Sequence, residues 1–130
     1  EGNAIFLNDD PSVIRKKIMK AKTDSGPVEP GQAKPVEIEN LFALMRAVSS
    51  ADAVRYFEEQ YDSCQIRYGD MKKQLAEDMI RFTEPFRARI AELGADEVSL
   101  RRIMDHGKER AHESARHTLD EVRHVIGYRQ

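Results

Sequence analysis

From Met71 to Leu93 an apolar side chain returns every three or four residues: Met71, Leu75, Met79, Phe82, Phe86, Ile90 and Leu93, at spacings of 4, 4, 3, 4, 4 and 3. Only an α-helix gathers such positions onto one face; a strand, with its period of two, would scatter them. A second run has the same character. Leu100, Met104, Gly107, Ala111, Ala115, Thr118, Val122 and Val125 follow at 4, 3, 4, 4, 3, 4 and 3. Its phase survives Gly107, and the small residues at 107, 111 and 115 would let another helix approach closely. Pro85 lies inside the first run. A proline there removes one hydrogen bond and crowds the carbonyl four residues back, which predicts a kink near Arg81–Phe82 rather than a break. Gly94-Ala95-Asp96 ends the first run and Gly127 stops the second.

The upstream half carries shorter helices. Asp10 is placed as an N-cap and Pro11 at the first helical position, with Ile14, Ile18 and Ala21 on one side, so a helix is expected to run to about Lys22. Its other face carries Arg15, Lys16, Lys17, Lys20 and Lys22. Residues 24–35 hold three of the five prolines together with Gly26 and Gly31, and read as a loop and the one plausible linker. Pro35 opens a second helix with Ile38, Leu41, Phe42, Met45 and Val48 on its stripe. Ser50 caps a third, along which Ala51, Val54, Phe57 and Tyr61 align. Residues 62–69 form another loop. The expected fold is all-α, a bundle of about five helices with the last two long. Residues 1–24 read as a connector plus first helix, 25–35 as a loop, and 36–130 as the helical domain.

A chain of 130 residues fits one domain. Its 21 basic and 23 acidic residues give a net charge of −2, which excludes a histone-like coat but not a local basic patch. No apolar run approaches the roughly 20 residues of a membrane helix, and no leader is visible. Ala4-Ile5-Phe6-Leu7 reads like the interior of something, so the chain is expected to be cut from a longer protein. The single cysteine, Cys64, allows neither an internal disulfide nor a cysteine zinc site, and suits a reducing compartment.

Catalytic signals are lacking. His106, His117 and His124 are 11 and 7 residues apart, on a face opposite the apolar stripe, so they point to solvent rather than converge on a metal. His112-Glu113 is followed by Arg116 where a zinc-binding helix would repeat histidine. Cys64 has no partner cysteine and no adjacent base. The glycines form no phosphate-cradling loop. Basic clusters remain: Lys16, Lys17 and Lys20 on the first helix, and Arg67, Lys72 and Lys73 beside the second loop. Either can meet phosphate or simply face water. Arg101, Arg102, Lys108 and Arg110 are interleaved with acids and read as a solvated face.

Four segments in order carry a family likeness. Ala4-Ile5-Phe6-Leu7-Asn8-Asp9-Asp10-Pro11, then Lys16-Lys17-Ile18, Ala21 and Thr23-Asp24-Ser25, resembles the stretch after the Lys-Met-Ser-Lys-Ser loop of tryptophanyl-tRNA synthetases. Lys34-Pro35 with Asn40-Leu41 is similar to that family's next helix start, although Val36-Glu37-Ile38-Glu39 replaces the usual Gly-Val-Ser. Tyr68-Gly69-Asp70-Met71-Lys72-Lys73-Gln74-Leu75-Ala76-Glu77 resembles its Tyr-Gly-x-Phe-Lys-x-x-Leu-Ala-Glu. Gly107, Ala111, Ala115, Thr118-Leu119, Val122-Arg123 and Ile126-Gly127 are similar to its closing helix.

The resemblance implies a cytoplasmic class I ligase, a homodimer, that activates tryptophan with ATP and magnesium and transfers it to tRNA. Its Rossmann catalytic domain would lie upstream of Glu1. This chain would be the C-terminal helical domain that binds the tRNA anticodon, inactive alone, with no catalytic residue, no cofactor and no metal of its own. Splayed bases need polar groups and stacking surfaces on a rigid platform. The Ser49-Ser50-Ala51-Asp52 junction is expected to expose backbone N–H groups, hydroxyls and a carboxylate, with Asp52 accepting from a base amino group. Arg46 and Arg55 stand about one turn away for phosphate or stacking, and Lys72 and Lys73 begin the next helix, ready to hold the RNA backbone. The plainer role of Ser50 and Asp52 is cap and first-turn acid. A free-standing helical protein-interaction module is the alternative.

Overall fold

In a computed structural model the described residues are 4–128, and among them five helices and no strand form: α1 (Pro11–Lys20), α2 (Val36–Val48), α3 (Ala51–Asp62), α4 (Tyr68–Ala95) and α5 (Glu97–Val125). The all-α expectation holds, with the last two helices long. The chain divides into two compact units, Glu1–Ala88 and Arg89–Gln130.

The first unit has one apolar core. Ile14 and Ile18 of α1, Ile38, Leu41, Phe42 and Met45 of α2, Phe57 and Tyr61 of α3, and Met71, Leu75, Ala76 and Met79 of α4 form it. Each large side chain removed from water contributes about 1.5–3 kcal/mol before the entropy of ordering is subtracted. Phe42 and Tyr61 meet edge to face, ring centres 6.1 Å apart. Lys34 Nζ sits 5.0 Å from the Phe42 ring centre and 4.8 Å from that of Tyr61, and the Tyr61 hydroxyl donates to the Ala33 carbonyl at 3.4 Å. The polar linker is thereby held onto the core.

Two details of α1 correct the sequence expectation. The helix ends at Lys20 rather than near Lys22, because Ala21 is already extended (φ −54°, ψ 134°). Asp10 occupies the N-cap position, but its side chain makes no capping bond. The working carboxylate is Asp9: one oxygen accepts from the Phe6 N–H at 2.9 Å and from Lys17 Nζ at 2.6 Å. These bonds, Lys17 first, hold its pKa below the usual aspartate range.

Helix α3 ends in a Schellman turn. The Gln65 N–H reaches the Gln60 carbonyl at 2.8 Å and the Cys64 N–H reaches that of Tyr61 at 3.0 Å. This places Cys64 at the left-handed position, with φ +57°, where glycine is usual. Helix α4 then starts at Tyr68 and runs unbroken through Pro85. Two residues before the proline, the buried Thr83 hydroxyl donates back to the Met79 carbonyl at 2.9 Å and accepts from Arg87 at 2.6 Å.

The second unit comprises the end of α4 and α5. Asp96 caps α5, accepting from the Ser99 N–H at 3.0 Å. The helix passes through Gly107 without interruption, and none of its residues is buried. His106 and His117 face solvent beside Glu109 and Glu121.

Candidate nucleic-acid interface

Helix α3 is amphipathic for a simple reason. Phe57 and Tyr61, four apart, enter the core, while Asp52, Arg55, Tyr56 and Glu59 lie on the opposite side and are exposed. Ser50 fixes its start, its hydroxyl accepting from the Ala53 N–H at 3.3 Å. The rest of the junction differs from expectation. The Ser49 hydroxyl is buried without a hydrogen-bond partner, and the Ser49 N–H is used by the Met45 carbonyl at 2.8 Å. The Asp52 carboxylate stands in solvent, 83% exposed.

The four cations expected around this junction divide into two pairs. Arg46 bridges α2 and α3: it contacts Glu39 at 2.7 Å and Glu58 at 3.1 Å. Its hydrogen bonds to Glu39 and then Glu58 raise its pKa, and two carboxylates already balance its charge. Arg46 therefore clamps α2 to α3. Lys72 departs further from expectation. Its residue is only 8% exposed, and Nζ donates to the Ala21 carbonyl at 2.6 Å and to the Thr23 hydroxyl at 3.2 Å. Burial pushes its pKa down. Lys72 ties α4 to the segment leaving α1 and does not present its ammonium to the surface. The reason lies in helix phase: Lys72 is adjacent to Met71, and both fall on the buried arc of α4, whereas Lys73 turns outward.

Arg55 and Lys73 are the second pair, each with a side chain 67% exposed. Arg55 leans on Asp52 at 2.6 Å and Lys73 on Asp70 at 3.4 Å, both one turn back on their own helices. Exposed pairs of this kind contribute about 0.2–1 kcal/mol, so either cation can exchange its carboxylate for a phosphate at little cost. Tyr56, adjacent to Arg55 and 55% exposed, was not singled out by its sequence context. A half-exposed aromatic beside an arginine on the polar arc of α3 is the signal that marks it. On α1, Lys17 is taken by Asp9.

Among the described residues no group of three or more His, Cys, Asp or Glu is placed to hold a metal, and no helix is long and apolar enough to cross a membrane.

Residues 1–84 match the family model described as tRNA synthetases class I (W and Y). A tryptophan–tRNA ligase of Porphyromonas gingivalis is 56% identical over 129 residues, covering 99% of this chain and 39% of that protein. The tryptophan–tRNA ligases of Helicobacter pylori and Treponema pallidum are 38% and 33% identical, covering 96% and 97% of the chain. The chain spans about two fifths of the length of these relatives. It belongs to the class I tRNA synthetases of the tryptophan and tyrosine family.

Proposed function

We propose that this chain is the C-terminal, tRNA-binding part of a cytoplasmic tryptophan–tRNA ligase, the whole protein joining tryptophan to its tRNA with ATP. The observation that carries the reading is similarity along the whole chain to proteins named tryptophan–tRNA ligase, of which it spans about two fifths. ATP and magnesium belong to an upstream Rossmann domain in a homodimeric parent. The described residues form no strand and so no strand-to-helix phosphate loop, and they do not fit an ATP site.

In this reading the helical domain, from residue 36 onward, positions the anticodon arm. Arg55 and Lys73 hold backbone phosphates, and Asp52 accepts from a base amino group. The arrangement suits that role because the cations stand on rigid helices and their present partners are weak.

Pyrophosphate exchange by the full-length protein tests the ligase assignment. Exchange of label into ATP should depend on tryptophan. Exchange that depends on tyrosine instead would overturn the assignment.

A further inference from the structure

A hollow of about 810 Å³ opens between α1, the segment that leads into it, and α2. It lies wholly within the first compact unit. Its floor and walls are apolar, with Ile5 from the entry segment, Val13 of α1, Ala21 just past that helix, and Leu41 and Leu44 of α2. Its rim is basic, with Lys16, Lys17, Lys20 and Lys22 against one acid, Glu37. An apolar trough rimmed by charge is the mark of an interaction surface.

Each part of the hollow has a defined state. Leu41 is buried, whereas Val13 and Leu44 remain 37% and 41% exposed. Lys17 is taken by Asp9, and Lys22 lies 3.7 Å from Glu37, so these two cations are already balanced. Lys16 and Lys20 are exposed and pair with no carboxylate among the described residues. They are four apart on α1 and present their charge side by side. The entry segment is held in place. The Asp9 carboxylate accepts from the Phe6 N–H and from Lys17, and Lys17 Nζ sits 5.0 Å from the Phe6 ring centre. Ala4 and Ile5, just before this clasp, line the hollow.

We propose that this hollow seats the part of the polypeptide that precedes this chain in the parent protein, which covers Val13 and Leu44 with apolar side chains and meets Lys16 and Lys20 with carboxylates. The inference rests on the C-terminal placement proposed above. Three observations choose this occupant. About three fifths of the Porphyromonas relative's length lies outside the stretch that this chain matches, a body large enough to cover the hollow. Ala4 and Ile5 line the hollow, so whatever precedes them is tethered at its edge. A tethered surface acts at an effective concentration on the order of millimolar, well above that of a free partner. The unpaired charge is of one sign, which calls for an acidic counter-surface. An RNA backbone would satisfy Lys16 and Lys20 but leave the apolar floor facing phosphate and sugar. A protein surface with an apolar centre and an acidic rim satisfies both.

The test uses the full-length protein with photo-reactive benzoylphenylalanine in place of Leu44, an exposed position. On irradiation it should join to a peptide from upstream of residue 1 in the same chain, which mass spectrometry of the digest identifies. A cross-link that reaches only a second copy, only added tRNA, or no upstream peptide at all overturns the inference. Charge is tested separately, with Lys16→Glu and Lys20→Glu together in the full-length protein. The melting temperature should fall by about 3 °C or more at low salt, and the fall should shrink at high salt. A wild-type melting temperature, or a fall of the same size at both salts, overturns the acidic counter-surface and the inference with it. Pyrophosphate exchange by the wild-type protein keeps the two readings apart. Upstream cross-linking without tryptophan-dependent exchange leaves this inference standing and removes the ligase assignment. Exchange without the cross-link removes this inference alone.

Discussion

Lys72 Nζ lies 2.6 Å from the carbonyl oxygen of Ala21, so the second turn of a long helix is bolted to the residue that follows a short one, 51 positions earlier. The bond explains why α1 stops where it does. An extended Ala21 turns its carbonyl to the incoming ammonium, and Thr23 supplies a second acceptor at 3.2 Å.

Lys72 and Lys73 should accordingly separate in stability experiments. Lys72→Met keeps the aliphatic stem and removes the donors, and should cost about 1–3 kcal/mol. Lys73→Glu changes an exposed side chain and should stay within about 0.5 kcal/mol of wild type. Denaturant titration of the two variants measures both. An unaffected Lys72→Met would show that the bond to Ala21 contributes nothing net.

This pair also marks how far the sequence could be read. Helix existence was legible because the run from Met71 to Leu93 mixes steps of 4 with steps of 3, which a helix gathers onto one face and a strand does not. Burial was less so. The same stripe continues to Phe82, Phe86 and Ile90, yet these are 43%, 42% and 47% exposed. Periodicity fixes which side chains share a face and carries no information about what covers it. The burial of Lys72 was not legible, because a buried lysine is rare and its partner is remote in sequence. The Asp9–Lys17 bond was hidden because Asp9 and Asp10 both suit a cap, and only geometry separates them. Arg55 and Lys73 stand where the sequence suggested, on polar arcs, since exposure of a charged residue needs no long-range information.

Cys64 holds a left-handed backbone, φ +57°, without being glycine. The strain is about 1 kcal/mol for a residue bearing a Cβ. Cys64→Gly should therefore raise stability by about that amount less the added flexibility of the unfolded chain, and should raise the melting temperature. Cys64→Val, with a branched side chain at the same φ, should lower it. A Cys64→Gly protein that melts below wild type would contradict this account of the turn.

Tyr68 carries a buried hydroxyl near the Asp24 carboxylate that makes no hydrogen bond of good geometry. Burial first, and then Asp24, raises its pKa above the ordinary value of 10.0; burial raises that of Tyr61 as well. The folded state thus keeps protons that the unfolded chain releases. Stability should be complete below pH 10 and fall as the pH rises from there through the folded-state values. Tyr68→Phe should be at least as stable at neutral pH and should lose less on alkaline titration. Equal alkaline loss in wild type and variant would assign the effect elsewhere.

The account turns on whether the exposed polar arc of α3 and α4 meets tRNA phosphate, and the salt dependence of binding decides that. With Arg55→Glu and Lys73→Glu together in the full-length protein, affinity for the tryptophan tRNA should fall at low salt. The slope of log K against log salt should flatten by about 2, roughly one for each lost phosphate contact. A double variant with wild-type affinity and an unchanged slope would contradict the assignment of this surface to tRNA.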